Sequence, residues 1–269
     1  MAKDKLKPPS FEKIPRGTHL VIGRNAVREV LLHRSDQLLK VFTINRAGKR
    51  KGREGELLSL AQEKRIATQF MSPEELDTLV ETDNHQSFAA LVREKEAPGL
   101  KDWLRQSKEQ DSALVLILDS VEDPGNLGAL LRAAECFGTS LVIVPKTRTA
   151  SFTPAVSKTS VGASELLDVI KVSNLVDAVS KLKEAEFWVA GGAVGEDATD
   201  VNRFEFPKKT ALVVGAEGKG ISHLLLQHLD FKLSIPLSGR IDSLNVSQAA
   251  SILLYCYRRS LSSEEPVPR

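Results

Sequence analysis

Two kinds of hydrophobic pattern divide the chain. From Ala113 onward, short continuous apolar runs alternate with stretches in which apolar residues return at helical spacing. The runs Ala113 to Leu118, Leu141 to Val144, Phe187 to Ala190, Ala211 to Val214 and Leu233 to Ile235 predict buried strands. Between them, Leu127, Leu130, Leu131, Ala134 and Phe137 form one stripe of a helix, and Val156 to Leu166 and Asn174 to Glu184 read as two more. A final helix opens at Ser243 and Asn245 and buries Val246, Ala249, Ala250, Leu253, Leu254 and Tyr257. Strands apolar throughout and alternating with helices predict an α/β domain with a mostly parallel sheet covered on both faces. Ligands of such sheets gather at the carboxyl ends of the strands.

The front of the chain has shorter elements. Gly23-Arg24-Asn25-Ala26-Val27 leads into a helix through Leu32, and Glu54 to Lys64 is helical. Val41 to Ile44, Ile66 to Phe70 and Phe88 to Val92 read as strands, and Ser72-Pro73-Glu74-Glu75 caps a further helix. The predicted organisation is a flexible basic arm over residues 1–16, a small α/β domain over 17–94, a linker over 95–112, a larger domain over 113–261 and a tail over 262–269. The linker is polar around Pro98 and Gly99, with only Leu100, Trp103 and Leu104 able to pack.

Composition narrows the classes. A chain of 269 residues with 42% hydrophobic content can build a substantial core. Its apolar runs are far too short to span a bilayer and its start lacks a signal-peptide core, which predicts a soluble, cytoplasmic protein without membrane contact. Cys136 and Cys256 lie in apolar helical patterns without metal-ligand spacing, so both are expected as buried thiols, with no disulfide framework and no metal site. The net charge of +2 conceals an asymmetry: residues 1–65 carry 16 Lys and Arg against 7 Asp and Glu, the remainder 21 against 28. A basic front end points to a polyanion, above all nucleic acid, with Arg24 and the run Lys49-Arg50-Lys51-Gly52-Arg53 as candidate contacts.

Three loops could carry chemistry, each following a predicted strand. In the first, Asp123 and Pro124 suit a helix cap and first position, and Arg132 points roughly opposite the buried stripe, toward water, a partner chain or a ligand. Asn126 in the same loop is either a turn residue or a functional amide. The second, Gly215-Ala-Glu-Gly-Lys-Gly, allows close backbone approach but departs from dinucleotide-binding spacing, and Glu217 would repel a phosphate. The third runs from Pro236 to the caps Ser243 and Asn245. Main-chain donors and acceptors dominate these loops.

Asp123-Pro-Gly-Asn-Leu-Gly-Ala with Arg132, Gly215-Ala-Glu-Gly-Lys-Gly, and Ile235-Pro with Ser243-Leu-Asn-Val-Ser closely resemble, in order, the three motifs of the SpoU (TrmH) family of RNA ribose 2'-O-methyltransferases. The front domain is similar to that of the 23S rRNA guanosine-2'-O-methyltransferases, whose substrate-binding part resembles the ribosomal protein L30e fold. Gly23 to Val27 and His85-Gln86 match its ends, whereas Ser87 stands where Gly is usual and Leu237 where Met is commoner.

The resemblance implies a SPOUT domain with its C-terminal part threaded into a trefoil knot, an exception to the rule against knots. It implies S-adenosylmethionine as methyl donor, contacted by Gly215, Gly218, Gly220, Ile235, Leu237 and Leu244, and a homodimer with active sites at its interface. It also implies that Arg132, Asn126, Glu217, Ser243 and Asn245 form the catalytic and RNA-positioning set. A guanidinium keeps its proton, so Arg132 is expected to polarise the ribose hydroxyl or bind a phosphate. Competing readings are a methyltransferase for tRNA or another rRNA ribose, and a noncatalytic RNA-binding assembly factor. A nucleotide-binding oxidoreductase lacks its spacing here.

Overall fold

The computed structural model of the chain describes residues 14–45, 52–95, 98–193, 195 and 197–262. The chain divides into two compact units, Met1–Lys95 and Glu96–Arg269.

The first unit contains β1 (Thr18–Ile22), α1 (Arg24–His33), β2 (Leu38–Ile44), α2 (Arg53–Glu63), β3 (Thr68–Met71), α3 (Pro73–Val80) and β4 (Phe88–Arg93). Its four strands lie in the order β1-β4-β2-β3, antiparallel except for β2 beside β3. One face buries Val27, Val30, Leu31, Leu57 and Ala61 from α1 and α2, and the other buries Leu76 and Val80 from α3. A capping box starts α3: Ser72 Oγ accepts from the Glu75 amide at 3.2 Å, and Glu75 Oε2 accepts from the Ser72 amide at 2.8 Å.

The two ends of the front-domain motif meet in space. The Arg24 amide at the start of α1 donates to Gln86 Oε1 at 3.1 Å. Gln86 and Ser87 both adopt left-handed backbone, with φ of 53° and 65°. Buried His85 holds this turn from inside: its Nδ1 accepts from the Ser87 amide at 3.0 Å, while Nε2 lies 2.7 Å from Asp77 Oδ1. Since Nδ1 accepts, Nε2 carries the ring proton and donates to Asp77.

The second unit opens with α4 (Leu100–Ser107), inside the segment predicted as linker. Trp103 and Leu104 are buried there, and the Trp103 ring packs 6.1 Å from that of Phe187. Then follow β5 (Ala113–Leu118), α5 (Pro124–Cys136), β6 (Leu141–Pro145), α6 (Pro154–Thr159), α7 (Ala163–Leu166), β7 (Val169–Val172), α8 (Leu175–Glu184), β8 (Trp188–Gly192), β9 (Thr199–Asp200), β10 (Lys209–Val214), α9 (His223–Leu226), β11 (Phe231–Ser234) and α10 (Val246–Ser262). The strands form a seven-stranded sheet, β7-β6-β5-β10-β8-β11-β9, in which every pairing is parallel. Alternate residues of β5 serve opposite cores: Leu114, Leu116 and Leu118 pack with α5 and α10, and Val115 and Ile117 with α8.

Two expectations are corrected. The predicted helix from Val156 to Leu166 is two short helices, because Val161 and Gly162 take φ of 58° and 90° and interrupt the hydrogen-bond ladder. Cys136, expected buried, is exposed at the last turn of α5, away from the Leu127–Leu131–Ala134 stripe. Cys256 is buried, and burial pushes its thiol pKa up. Among the described residues no helix is long and apolar enough to cross a membrane.

Candidate active site

The carboxyl ends of β5 and β10 lie side by side, and Asp119 joins the loops that leave them. Its amide donates to the Val214 carbonyl at 2.8 Å. Its buried carboxylate accepts from the Ser222 amide at 2.8 Å and from Ser120 Oγ at 3.0 Å. The turn between them is pinched: the Ala216 amide donates to Gly220 O at 3.1 Å and the Gly220 amide returns to Ala216 O at 2.8 Å. At Gly215 a Cβ would lie 2.0 Å from Gly220 C, so no larger residue fits without opening the turn. Gly218 and Gly220 supply the left-handed backbone that reverses the chain, with φ of 76° and 66°.

The three motif loops are linked by a row of side chains. Asn245 Nδ2 donates to Asn126 Oδ1 at 2.8 Å, and Asn126 Nδ2 donates to Glu217 Oε2 at 2.9 Å. The Glu217 carboxylate can only accept, which fixes the orientation of the Asn126 amide and through it that of Asn245. Asn126 is held in place because its backbone N–H donates to Oδ1 of Asp123, the N-cap of α5, at 2.6 Å. Asn245 Oδ1 accepts from the Ser247 amide at 2.9 Å and from Ser247 Oγ at 2.6 Å, at the start of α10.

Two cavities flank this row. The first, about 430 Å³, is lined by all six residues predicted to contact a cofactor, Gly215, Gly218, Gly220, Ile235, Leu237 and Leu244, together with Glu217 and Ser243. Its apolar walls include Leu226, Leu233 and Leu253. The second, about 390 Å³, lies toward Asp119, Glu122, Asn126 and Arg148. Ala216, Glu217, Lys219, Gly220 and Val246 face both cavities, so the glycine turn is the partition between them. Glu217 is the carboxylate common to the two linings.

Arg132 is exposed on α5 and lines neither cavity. In the first unit Arg24 is half-buried and its Nη2 lies 3.5 Å from Glu54 Oε1, while Arg53 is exposed at the start of α2. Lys49, Arg50 and Lys51 lie outside the described residues. Sequence reasoning did not single out Asp119, Glu122, Arg148 or Lys219. Arg148 had one available signal, its place just after a predicted strand on the side of the sheet where the other loops gather. Among the described residues no group of three or more His, Cys, Asp or Glu side chains is arranged to hold a metal.

Residues 113–255 match the model of the SpoU rRNA methylase family, and residues 20–98 match the RNA 2'-O ribose methyltransferase substrate-binding model. A TrmH family tRNA/rRNA methyltransferase of Staphylococcus aureus (strain COL) is 39% identical over 239 residues, 88% of this chain and 94% of that protein. One from Staphylococcus haemolyticus is 36% identical over 89% of this chain and 95% of its own length. Among solved structures, the SpoU methyltransferase AviRb of Streptomyces viridochromogenes in complex with AdoMet superposes with a TM-score of 0.73 at 24% identity, covering 92% of each chain. A TrmH family protein of Porphyromonas gingivalis superposes with a TM-score of 0.65 at 25% identity over 90% of each chain. With a parallel-sheet unit carrying the three linked loops, a substrate-binding unit ahead of it and near full-length relatives, this chain belongs to the SpoU rRNA methylase family of RNA methyltransferases.

Proposed function

We propose that the protein transfers a methyl group from S-adenosylmethionine to a ribose 2'-hydroxyl in RNA, on a guanosine of 23S rRNA, and acts as a homodimer. The observation that carries this reading is that Glu217 faces both cavities, between a main-chain-lined space and a polar one. A volume of about 430 Å³ is within the range of small-molecule pockets. Its wall suits the donor: Gly215 admits no side chain, the glycine turn presents backbone groups, and Leu233, Leu244 and Leu253 offer an apolar surface for a purine ring. Gly215, Gly218, Gly220, Ile235, Leu237 and Leu244 would hold it.

When bound, the donor supplies an electrophilic methyl whose bond to sulfur breaks as its bond to the ribose oxygen forms, with the bonding pair left on sulfur. The chain has to orient the hydroxyl and take its proton. Oε2 of Glu217 is engaged by Asn126 at 2.9 Å, and Oε1 is the oxygen left to accept that proton. Asn126 and Asn245 fix the carboxylate's direction, so the rate gain comes from orientation and preorganised polarity. Ser243, on the wall of the first cavity, belongs with Asn126, Glu217 and Asn245 to the set that positions the RNA. Arg132 reaches the site of a second copy, where its guanidinium polarises the hydroxyl or holds a phosphate. Arg24, Arg53 and the run Lys49 to Lys51 contribute sequence-independent phosphate contacts. In this reading the last segment is threaded as a trefoil knot.

Transfer of labelled methyl from S-adenosylmethionine to total RNA from a strain lacking this gene, followed by digestion to nucleosides, tests the proposal. Label in 2'-O-methylguanosine from large-subunit rRNA supports it. Label in another nucleoside or in tRNA moves the target, and donor binding without transfer favours a noncatalytic RNA-binding protein.

A further inference from the structure

The second cavity differs from the first in chemistry. Its lining adds Arg148 and the unengaged carboxylate of Glu122 to the shared turn with Lys219, and has none of the leucines of the first. Of its other acids, Asp119 is occupied by Ser222 and Ser120, Asp123 caps α5, and Glu217 takes the Asn126 amide. Glu122 is exposed at the cavity and makes none of these ties.

Arg148 is presented there by the backbone. Its loop is anchored at both ends, by the Lys146 amide on Val172 O at 2.8 Å and the Ala150 amide on Val121 O at 2.9 Å. Between these anchors Arg148 takes φ of 57°, and Ser120 on the facing loop takes φ of 62°. Left-handed backbone is strained for a non-glycine residue and persists only where the surrounding structure holds it. Two such residues line one cavity of about 390 Å³, a volume suited to a single nucleotide.

Resting on the proposed methyl transfer to RNA, we infer that this cavity is the acceptor-nucleotide pocket, with Arg148 as its phosphate contact and Glu122 as its base-reading residue. A guanidinium grips phosphate through two parallel N–H donors. A carboxylate accepts from paired N–H donors, which the Watson–Crick edge of guanine offers at N1 and N2 and that of adenine does not. The shared wall then brings the ribose of that nucleotide to Glu217, next to the space proposed for the donor.

The test measures binding and chemistry separately. In titrations of large-subunit rRNA over a range of salt, Arg148→Ala is expected to weaken binding severalfold and to reduce the slope of log affinity against log salt by about one, with S-adenosylmethionine binding unchanged. Arg148→Lys should keep the slope and recover only part of the affinity, because it keeps charge but not the fork. Glu122→Gln should lower the ratio of guanosine to adenosine methylation on matched RNAs by about tenfold or more. Unchanged affinity and slope in Arg148→Ala, with an unchanged base ratio in Glu122→Gln, overturn the inference. A wild-type protein that transfers no methyl to RNA but binds it through Arg148 would instead overturn the proposed function and leave the pocket assignment standing.

Discussion

Asn126 and Glu217 stand 91 positions apart in the chain and share a hydrogen bond of 2.9 Å across the ends of two adjacent parallel strands. The bond gives the carboxylate one engaged and one available oxygen. Asn126→Ala should lower kcat about a hundredfold, in the range of losing a positioned general base, while leaving the melting temperature and donor affinity close to wild type. Single-turnover methyl transfer with saturating donor checks this. A variant with wild-type kcat would remove Asn126 from the machinery.

If Arg132 serves the site of a second copy, two inactive variants should rescue each other. In a mixture of Arg132→Ala and Asn126→Ala, half the dimers are mixed and each holds one complete site, so activity should recover to about a quarter of wild type. Mixing after mild dissociation and assaying methyl transfer provides the measurement. No recovery would place Arg132 in its own chain's site or outside catalysis.

The pinched turn sets a steric limit. Gly215→Ala places a methyl 2.0 Å from Gly220 C, against backbone that cannot step aside. The expected cost is several kcal/mol, about 3, with loss of donor binding, read from urea denaturation and calorimetry. The glycine itself was conspicuous in the sequence, but the reason for it was not, because the clash is with a residue five positions on.

Tyr257 gives the fold an alkaline limit. Its ring is buried, its hydroxyl donates to Lys208 O at 2.6 Å, and burial pushes its pKa up to about 12. The folded value lies above the unfolded one of about 10, so this contribution is complete below pH 10 and is lost as pH rises from 10 toward 12. Urea midpoints across this window should fall more steeply for wild type than for Tyr257→Phe. Parallel slopes would show that the phenol ionises as readily in the folded chain as in the unfolded one.

The strands and helices around the sheet were legible because fully buried strands leave unbroken apolar runs and packed helices leave stripes. Of the predicted stripe on the last helix, Val246, Ala250, Leu253, Leu254 and Tyr257 are buried, whereas Ala249 is only partly buried because it lines the first cavity. The break at Val161 left no trace, because a β-branched residue with φ of 58° is imposed by its surroundings and the apolar period continues past it. The helix Leu100–Ser107 was hidden by its polar flanks, since Trp103 and Leu104 supply nearly all of its buried surface. Taken singly, Asn126 read as a turn former, Asn245 as a helix cap and Glu217 as a charge that repels phosphate, and only the family resemblance grouped them. Their joining depends on strand order, which periodicity does not encode. Arg148 escaped notice because a turn arginine is ordinary until the cavity beneath it is seen.

The partition between the cavities is one turn of chain thick, with Ala216, Glu217, Lys219 and Gly220 facing both spaces. A substitution there reshapes both spaces at once, so apparent Michaelis constants for two occupants would drift together and resemble cooperativity between them. Separating the effects takes dissociation constants for each occupant measured in the other's absence, and the same discipline applies to any inhibitor built against either side of the turn.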